Sequence, residues 1–356
     1  MAAATAFGGG VRLRAALSGL LLAAVSLTLL ALPDAADAKA KNASVMTRNL
    51  YLGAGLEPVI LAPDVPAAEA AAGEVYEQML ASDFPARAKL IAKEFKQTKP
   101  DLIGLQEVTT WLQGPKDDPA AANVVIVDFL KKLQKEMKKL GLKYKTVVKQ
   151  ENTDAEVPTD KGLDVRLIDY DALMVNKKAV KVETTNGANF TTALSVAVAG
   201  GALGTVDVLR GFVEADVKVR GKPVHVVNTH LEAFLAGIRD AQADELLAAG
   251  GPLESTRPVI LLGDLNSDPD GTGQGDSQYA YDSLIASGFV DRGITEDTCC
   301  FDADLLGGEL TIRIDHVLTR PDLASTAAKR TGTKKKTKAD QAPSDHAGVW
   351  SKLKVD

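Results

Sequence analysis

The stretch PVILLGDLNSDP, residues 258–269, carries Val259, Ile260, Leu261 and Leu262 straight into Gly263, Asp264, Asn266, Ser267 and Asp268. Taken alone that exit is a turn, because Gly, Asp, Asn, Ser and Pro tolerate a positive φ or bond to their own backbone. The same passage from apolar strand to polar end recurs along the chain. VMTRNL turns polar at Asn49, DLIGLQEV exits through Gln106 and Glu107, and PVHVVNTHLE ends in Asn228, Thr229, His230 and Glu232. RIDH carries Asp315, and PSDHAGVW brings Ser344, Asp345 and His346 just before a last strand. Loops at one edge of a sheet are where a rigid scaffold gathers functional groups, so these ends are expected to converge on one cleft. Carboxylates and amide oxygens, with His as the remaining donor, suit a hard cation such as Mg²⁺ or Mn²⁺ better than a structural zinc. Such an ion neutralises a phosphate and polarises its P–O bond, while a nearby His holds charge on the phosphoryl oxygens or moves a proton. A His paired with a buried carboxylate is better oriented and more basic for that task.

Each residue also has a plain structural reading. Asn49 can end a strand, Glu107 can favour the next helix N-terminus, His230 can be a satisfied half-buried histidine, and Ser344 with Asp345 can cap a loop. Their ordered joint occurrence makes a string of separate accidents a poor explanation. His225 lies five residues before His230 in the same strand, and His316 is adjacent to Asp315; alternation turns each to the face opposite its neighbour.

The elements that must position these groups read as short strands separated by helical or turn-rich stretches. Strands are expected at Ser44–Leu52, Asp101–Val108, Tyr144–Lys149, Asp171–Asn176, Val213–Val219, Pro223–Leu231, Pro258–Leu262, Ile312–Leu318 and Gly348–Leu353. Helical spacing runs through Phe84–Gln97, where Ala88, Ile91, Ala92 and Phe95 share a face, and through Val124–Leu140, whose lysines form a solvated side. Pro58–Gly73, rich in Ala and Pro, reads as an insertion or loop, and Gly271–Ser277 as a turn. Residues 320–342, with Arg320, Lys329, Arg330, Lys334, Lys335, Lys336 and Lys338, read as a mobile basic loop.

At the N-terminus Arg12 and Arg14 precede an apolar run from Ala15 to Leu32, followed by Pro33 and the small-residue site Ala36-Asp37-Ala38. That is the layout of a secretory signal peptide cleaved after Ala38, leaving residues 39–356 as one exported domain. The net charge of −6 argues against holding nucleic acid by bulk charge alone, but not against an enzyme whose bound cations supply local positive charge. The two cysteines, Cys299 and Cys300, are neighbours; a vicinal disulfide, pairing between molecules and free thiols all stay open.

TRNL, LQE, NTHLE, GDLNSDP, RIDHVL and SDH, in that order between residues 47 and 346, resemble the motifs of the endonuclease/exonuclease/phosphatase superfamily. That superfamily includes pancreatic-type deoxyribonuclease, apurinic endonucleases, neutral sphingomyelinases and inositol polyphosphate 5-phosphatases. The resemblance implies an α/β (α+β) four-layer sandwich, two face-to-face and mostly antiparallel β-sheets flanked by helices. It implies that Glu107, Asn49 and Asp345 serve the metal, that Asp264 and Asn266 position or deprotonate the attacking water, and that His230 contacts the scissile phosphate. Asp315 and His346 match its Asp–His dyad.

The chain departs from parts of the pattern. GGELTI precedes RIDH in place of the Trp-Cys-Asp-Arg signature of the inositol 5-phosphatases, which disfavours that substrate class. No exposed Trp/Phe hairpin of the kind secreted sphingomyelinases use is evident; Trp111 reads as a packed residue. The Asp171–Asn176 strand matches poorly and receives no catalytic residue. The expectation is therefore an exported, Mg²⁺- or Mn²⁺-dependent phosphoesterase. Nucleic acid is the first substrate, steered by the basic loop, with a phospholipid head group or a small phosphate ester as alternatives. A non-catalytic phosphate-binding module would leave gaps among the catalytic positions, and here all are occupied. No protein partner is inferred, and a monomer is expected.

Overall fold

The computed structural model describes residues 41–271 and 278–355. The expected leader at 1–38, and all of the expected turn beyond Gly271, lie outside the described residues. The strands are β1 (Lys41–Asn49), β2 (Leu102–Gln106), β3 (Thr110–Pro115), β4 (Val124–Asp128), β5 (Tyr144–Pro158), β6 (Leu163–Asn176), β7 (Val180–Asn189) and β8 (Leu194–Ala197). They continue as β9 (Thr205–Val208), β10 (Gly211–Val219), β11 (Lys222–His230), β12 (Val259–Asp264), β13 (Val290–Asp291), β14 (Asp315–Arg320), β15 (Ser325–Thr331) and β16 (Gly348–Val355). The helices are α1 (Glu57–Ile60), α2 (Val65–Ala81), α3 (Phe84–Thr98), α4 (Phe129–Lys139), α5 (Ala236–Leu247) and α6 (Tyr279–Ala286).

An eight-stranded sheet has the order β15-β16-β1-β2-β6-β3-β4, with β5 paired to β6, and a six-stranded sheet has the order β13-β14-β12-β11-β10-β7. Only the β1–β2 and β11–β12 pairs are parallel among these two sheets' ladders. The period of two along each strand then assigns its side chains to layers. Val45, Leu102, Leu173 and Val175 of the larger sheet face Val213, Val217, Val226, Ile260, Leu262 and Val317 of the smaller one. On the other side of the larger sheet, Met46, Ile103 and Leu105 pack beneath Val75, Phe84, Ile91, Phe95, Phe129 and Leu133 of α2, α3 and α4. The outer face of the smaller sheet, Val227, Val259, Leu261 and Leu318, lies under α5 and α6. This is the expected four-layer sandwich.

Three local expectations are corrected. Pro58–Gly73 is largely helical, not a loop: Asp64 caps α2 by accepting the Ala67 N–H at 2.9 Å, Pro66 sits where its missing N–H costs nothing, and the alanines propagate the helix. Val124–Leu140 divides, because Val124, Val125, Ile126 and Val127 favour β4, and Asp128 caps α4 at 2.9 Å to the Lys131 N–H. The stretch 320–342 is not one long loop; β15 pairs with β16, with Lys329 stacked over the Trp350 ring and Arg330 donating to the Asp297 carbonyl at 2.6 Å. Trp111 is packed as expected, with Nε1–H donating to Leu52 O at 2.8 Å.

The two set-aside histidines do face outward from the sandwich interior. His225 bonds to Asp216 and to the Pro252 carbonyl, at 2.9 and 2.8 Å. His316 bonds to the Ser267 carbonyl at 3.1 Å and to Asp291 at 3.4 Å. Asp291 also takes the Gly293 N–H at 2.8 Å and Arg313 at 2.5 Å. Burial alone would push Asp291 up, but its His316 and Arg313 partners outweigh burial and hold the carboxyl well below the usual carboxylate range.

A lowered folded-state pKa means stability that is present above the unfolded value of about 3.9 and disappears as pH falls through the folded value. The stability difference between wild type and Asp291→Asn should therefore narrow as pH drops below about 4, as read by urea unfolding across that range; a constant difference would show that the charge contributes nothing. A second expectation concerns the space between the sheets. A Cβ on Gly104 would lie 2.2 Å from Asn228 Oδ1 and 3.1 Å from Leu262 Cβ, so Gly104→Ala should cost about 1–3 kcal/mol in the same assay through overpacking.

Candidate active site

The strand ends meet because registers align them. His230 pairs with Asp264 across β11 and β12, and Asp264 pairs with Asp315 across β12 and β14. In the larger sheet Asn49 stands opposite Gln106. Inward side chains on β11 are Val224, Val226, Asn228 and His230, and on β12 they are Ile260, Leu262 and Asp264, so each apolar row ends in a polar group at the same edge. The last segment is tied in separately. Ser344 Oγ donates to Asn49 O at 2.9 Å, Arg48 donates to the His346 carbonyl, and Arg87 donates to Leu50 O at 2.7 Å and Pro343 O at 3.1 Å.

Asp264 lies at the centre. Its Oδ1 accepts the Asn266 N–H at 3.1 Å and its Oδ2 accepts Asn49 Nδ2 at 2.9 Å. Two imidazoles approach the same Oδ2, His230 Nε2 at 3.6 Å and His346 Nε2 at 3.7 Å. Those separations are too long for direct hydrogen bonds and leave both nitrogens aimed at the space beside the carboxylate. Burial, reinforced by Asp315 against the pull of His346, raises Asp264 to about 6.

The two histidines are driven to opposite states. His346 Nδ1 is 2.8 Å from Asp315 Oδ2. Burial opposes its charge, but Asp315, Asp264 and Asp345 overcome that and hold its pKa well above the ordinary value. His230 is buried beside the Arg210 guanidinium and near His346, which pushes it well below. Arg210 Nη1 sits 3.0 Å from His230 Nδ1; the guanidinium can only donate, so His230 is a neutral imidazole with its proton on Nε2. Both Nε2 atoms thus offer an N–H to the same point.

Glu107 lies beside both Asn49 and Asp345. Glu107 Oε1 accepts Asn49 Nδ2 at 3.0 Å and Oε2 accepts the Leu52 N–H at 2.5 Å. Burial and Asp169 raise Glu107, while burial and then Glu107, against the pull of His346, raise Asp345 to about 6. Buried carboxylates that destabilise one another in this way are a set of hard oxygen donors short of positive charge, which fits a divalent cation. Asn49 spends its amide N–H groups on Glu107 and Asp264 and its Oδ1 on the Tyr51 N–H at 2.8 Å, so it links the metal-type carboxylate to the central one. Asp264, Asp315 and His346 also present clustered donor atoms, but the His346–Asp315 bond makes them a proton-handling group. Asn266, with φ of 47°, anchors its amide to Leu231 O at 2.9 Å; Glu107 has φ of 54°. Both hold left-handed backbone at the site, where such strain is commonly kept.

Sequence reasoning missed Arg210 and Asp169, and named Glu232 at a strand end without giving it a role. Arg210 precedes β10, whose first residue pairs with His230, so it enters the site from a strand start. Its Nε lies 3.7 Å from Glu232 Oε2, and those two atoms have no closer polar partner. Asp169, raised by burial to about 6, comes from the middle of β6. The signal available was register: an antiparallel partner of an exit strand begins at the same edge. Cys299 and Cys300 form a vicinal disulfide, and Cys299 Sγ lies 3.4 Å from His346 Nε2. Most of these groups line a cavity of about 630 Å³ that also extends over Trp111, α1 and the β8–β9 hairpin.

None of the curated proteins matches the chain. Among solved structures, an endonuclease/exonuclease/phosphatase from Bacteroides vulgatus superposes with a TM-score of 0.54 at 15% identity, covering 89% of this chain and 100% of that one. D. rerio TDP2 complexed with single strand DNA product gives 0.51 at 16%, covering 88% and 99%. A mannosyl-6-phosphatase of Bacteroides thetaiotaomicron VPI-5482 gives 0.50 at 19%, covering 87% and 99%. The Endonuclease/Exonuclease/phosphatase family model matches residues 75–346, from within α2 to the histidine of the Asp315–His346 pair. With most of its length inside that match, the chain belongs to the endonuclease/exonuclease/phosphatase family.

Proposed function

We propose that the protein is a divalent-metal-dependent phosphoric ester hydrolase, exported by its N-terminal leader, that cleaves a P–O bond by direct attack of water. The observation that carries this reading is the convergence of His230 Nε2 and His346 Nε2 on Asp264 Oδ2 at 3.6 and 3.7 Å, at the wall of the cavity that all three line. A water there would give its proton to Asp264, a carboxylate raised to about 6 and so a competent base near neutrality. The charged His346 and the neutral His230 would donate to the phosphoryl oxygens as negative charge builds on them. Asp315 keeps His346 oriented and protonated, and Asn49 fixes Asp264 relative to Glu107. Glu107 and Asp345 would hold Mg²⁺ or Mn²⁺, which when bound neutralises the ester and polarises its P–O bond. Asn266 steadies Asp264 through its backbone N–H.

The case for nucleic acid as first substrate leaned on a mobile basic loop. In the structure Lys329, Arg330 and Lys336 of that stretch are engaged with Trp350, Asp297 O and Leu306 O, so the choice of substrate falls to the walls of the cavity.

With bis(p-nitrophenyl) phosphate as a generic diester, activity should vanish in EDTA and return with Mg²⁺ or Mn²⁺. Asp264→Ala and His346→Ala should each lose several orders of magnitude in kcat, as groups acting as a unit do. Activity retained in either variant, or in EDTA, would overturn the reading. Arg210 acts through His230 as a positioning residue. Arg210→Met should lower kcat about 100-fold with KM little changed, and Arg210→Lys should recover part of the loss; equal losses in both variants would point to a folding defect.

A further inference from the structure

Beside the polar edge, the cavity has a wall of a different chemistry. The β8–β9 hairpin is a small sheet of its own, with Val196 opposite Val206 and Leu194 opposite Val208. Alternation makes it two-faced. Val196, Val206 and Val208 line the cavity, while Ser195 and Asp207, hydrogen-bonded to each other, are exposed on its far side. Its flank is closed by α1 and α2, through a cluster in which Val59, Val65 and Ala68 pack with Val198, Ala199 and Val206. Val157 of β5 with Val165 and Leu167 of β6 complete the lining. An isolated hairpin is at best marginally stable in water, so this one depends on what covers its apolar face.

Three polar side chains on this side are already hydrogen-bonded. Trp111 Nε1–H donates to Leu52 O at 2.8 Å, Tyr51 Oη to Ala303 O at 2.7 Å, and Thr153 Oγ1 to Leu209 O at 3.2 Å. A nucleobase placed against the hairpin would lose its water and meet only aliphatic side chains, which is costly for a polar group. Tyr51, Trp111, Phe234 and Phe301 also line the cavity, but the hairpin itself presents only Val196, Val198, Val206 and Val208 to it. Branched aliphatic side chains with satisfied polar neighbours suit a hydrocarbon. At the margins, Leu61 is 76% exposed directly after lining residue Ile60, and Leu235 is 48% exposed directly after lining residue Phe234.

We infer that the β8–β9 hairpin and the α1–α2 segment form a pocket for the alkyl chain of an amphiphilic phosphate ester, whose phosphate sits at Asp264, His230 and His346. This names the substrate class of the hydrolase proposed above and rests on that reading for turnover, though not for binding.

The test uses the full chain and a series of alkyl p-nitrophenyl phosphate diesters, methyl to octyl, kept below their micellar concentrations. Burial of a methylene is worth roughly a fourfold factor, so kcat/KM should climb along the series to at least about 100-fold for octyl over methyl. Val208→Asp should collapse that octyl-to-methyl ratio to below about tenfold, whereas Ser195→Ala, on the outer face of the same hairpin, should leave it alone. The ratio is independent of the fraction of folded protein. Calorimetric binding of octyl phosphate against methyl phosphate supplies a readout free of catalysis. Preferred binding of octyl phosphate without hydrolysis of any ester would sustain the pocket and sink the hydrolase. A flat series with equal binding would overturn the pocket, as would single-stranded DNA being cleaved with a higher kcat/KM than the octyl ester.

Discussion

Buried amides hold the two sheets in register, and Asn228 is the one below the site. Asn228 Nδ2 donates to Leu105 O at 3.1 Å, and Asn228 Oδ1 accepts Gln106 Nε2 at 2.5 Å, so a side chain of the smaller sheet is bound to the larger one just below the site. Gln106 in turn bonds Thr47 at 3.0 Å, which brings β1 into the same network. Apolar packing is non-directional and would tolerate sliding of one sheet over the other. A buried amide left unpaired would not, since its desolvation would go uncompensated. Gly104 provides the space this amide needs, a demand no larger residue meets. Two positions beyond Asn228 stands His230, and two beyond Gly104 stands Gln106, so the clip that fixes the stacking also fixes where the catalytic edge closes.

Above that clip the structure concentrates like charge. Glu107, Asp169, Asp264 and Asp345 are all raised, each chiefly by burial, which means the folded chain holds them at a cost. The cost is contained by rigid anchoring from behind. Arg87, wholly buried beside the stacked Phe84 and Phe129 rings, spends its donors on the backbone of residues 50, 51, 82 and 343, tying the exit of β1 to the segment that delivers Asp345 and His346. Arg48 does the same from the neighbouring position, with Glu94 balancing its charge at 3.2 Å. Neither arginine touches the central carboxylate, yet both decide where the last catalytic segment lies. A site that must keep several carboxylates apart yet within reach of one ion needs this stiffness more than it needs stability.

Much of this was legible because alternation is a local signal. The passage from apolar rows to Asn49, His230, Asp264 and Asp315 could be read strand by strand, and the same period placed His225 and His316 correctly on the outer faces. What escaped was information held between strands. Arg210 stands at the start of β10, and only the pairing of Gly211 with His230 carries it to the site. Asp169 lies mid-strand in β6, where nothing local separates it from a solvent-facing aspartate. Pro58–Gly73 misled for another reason: proline reads as a breaker, yet in the first turn of α2 it has no hydrogen bond to lose. The basic stretch misled because β15 is an edge strand, whose lysines and arginines are what an edge strand commonly carries.

The cavity divides along the same line between what is local and what is not. Its polar side is built from the ends of central strands, which cannot shift without disturbing the sheet register. Its apolar side comes from α1, the start of α2 and the β8–β9 hairpin, which share a small cluster of their own, together with Val157, Val165 and Leu167 of β5 and β6. The sandwich core does not depend on the identity of residues in that hairpin, so their aliphatic character is not explained by packing of the two sheets. A two-faced hairpin that turns Val196, Val206 and Val208 toward the reacting centre gains stability only when that face is covered, and a bound alkyl chain covers it. Substrate and wall would then stabilise one another by mass action, the occupied form being the more stable one. On this argument the chemistry is set by the strand ends, while the choice of ester belongs to the hairpin and the α1–α2 segment.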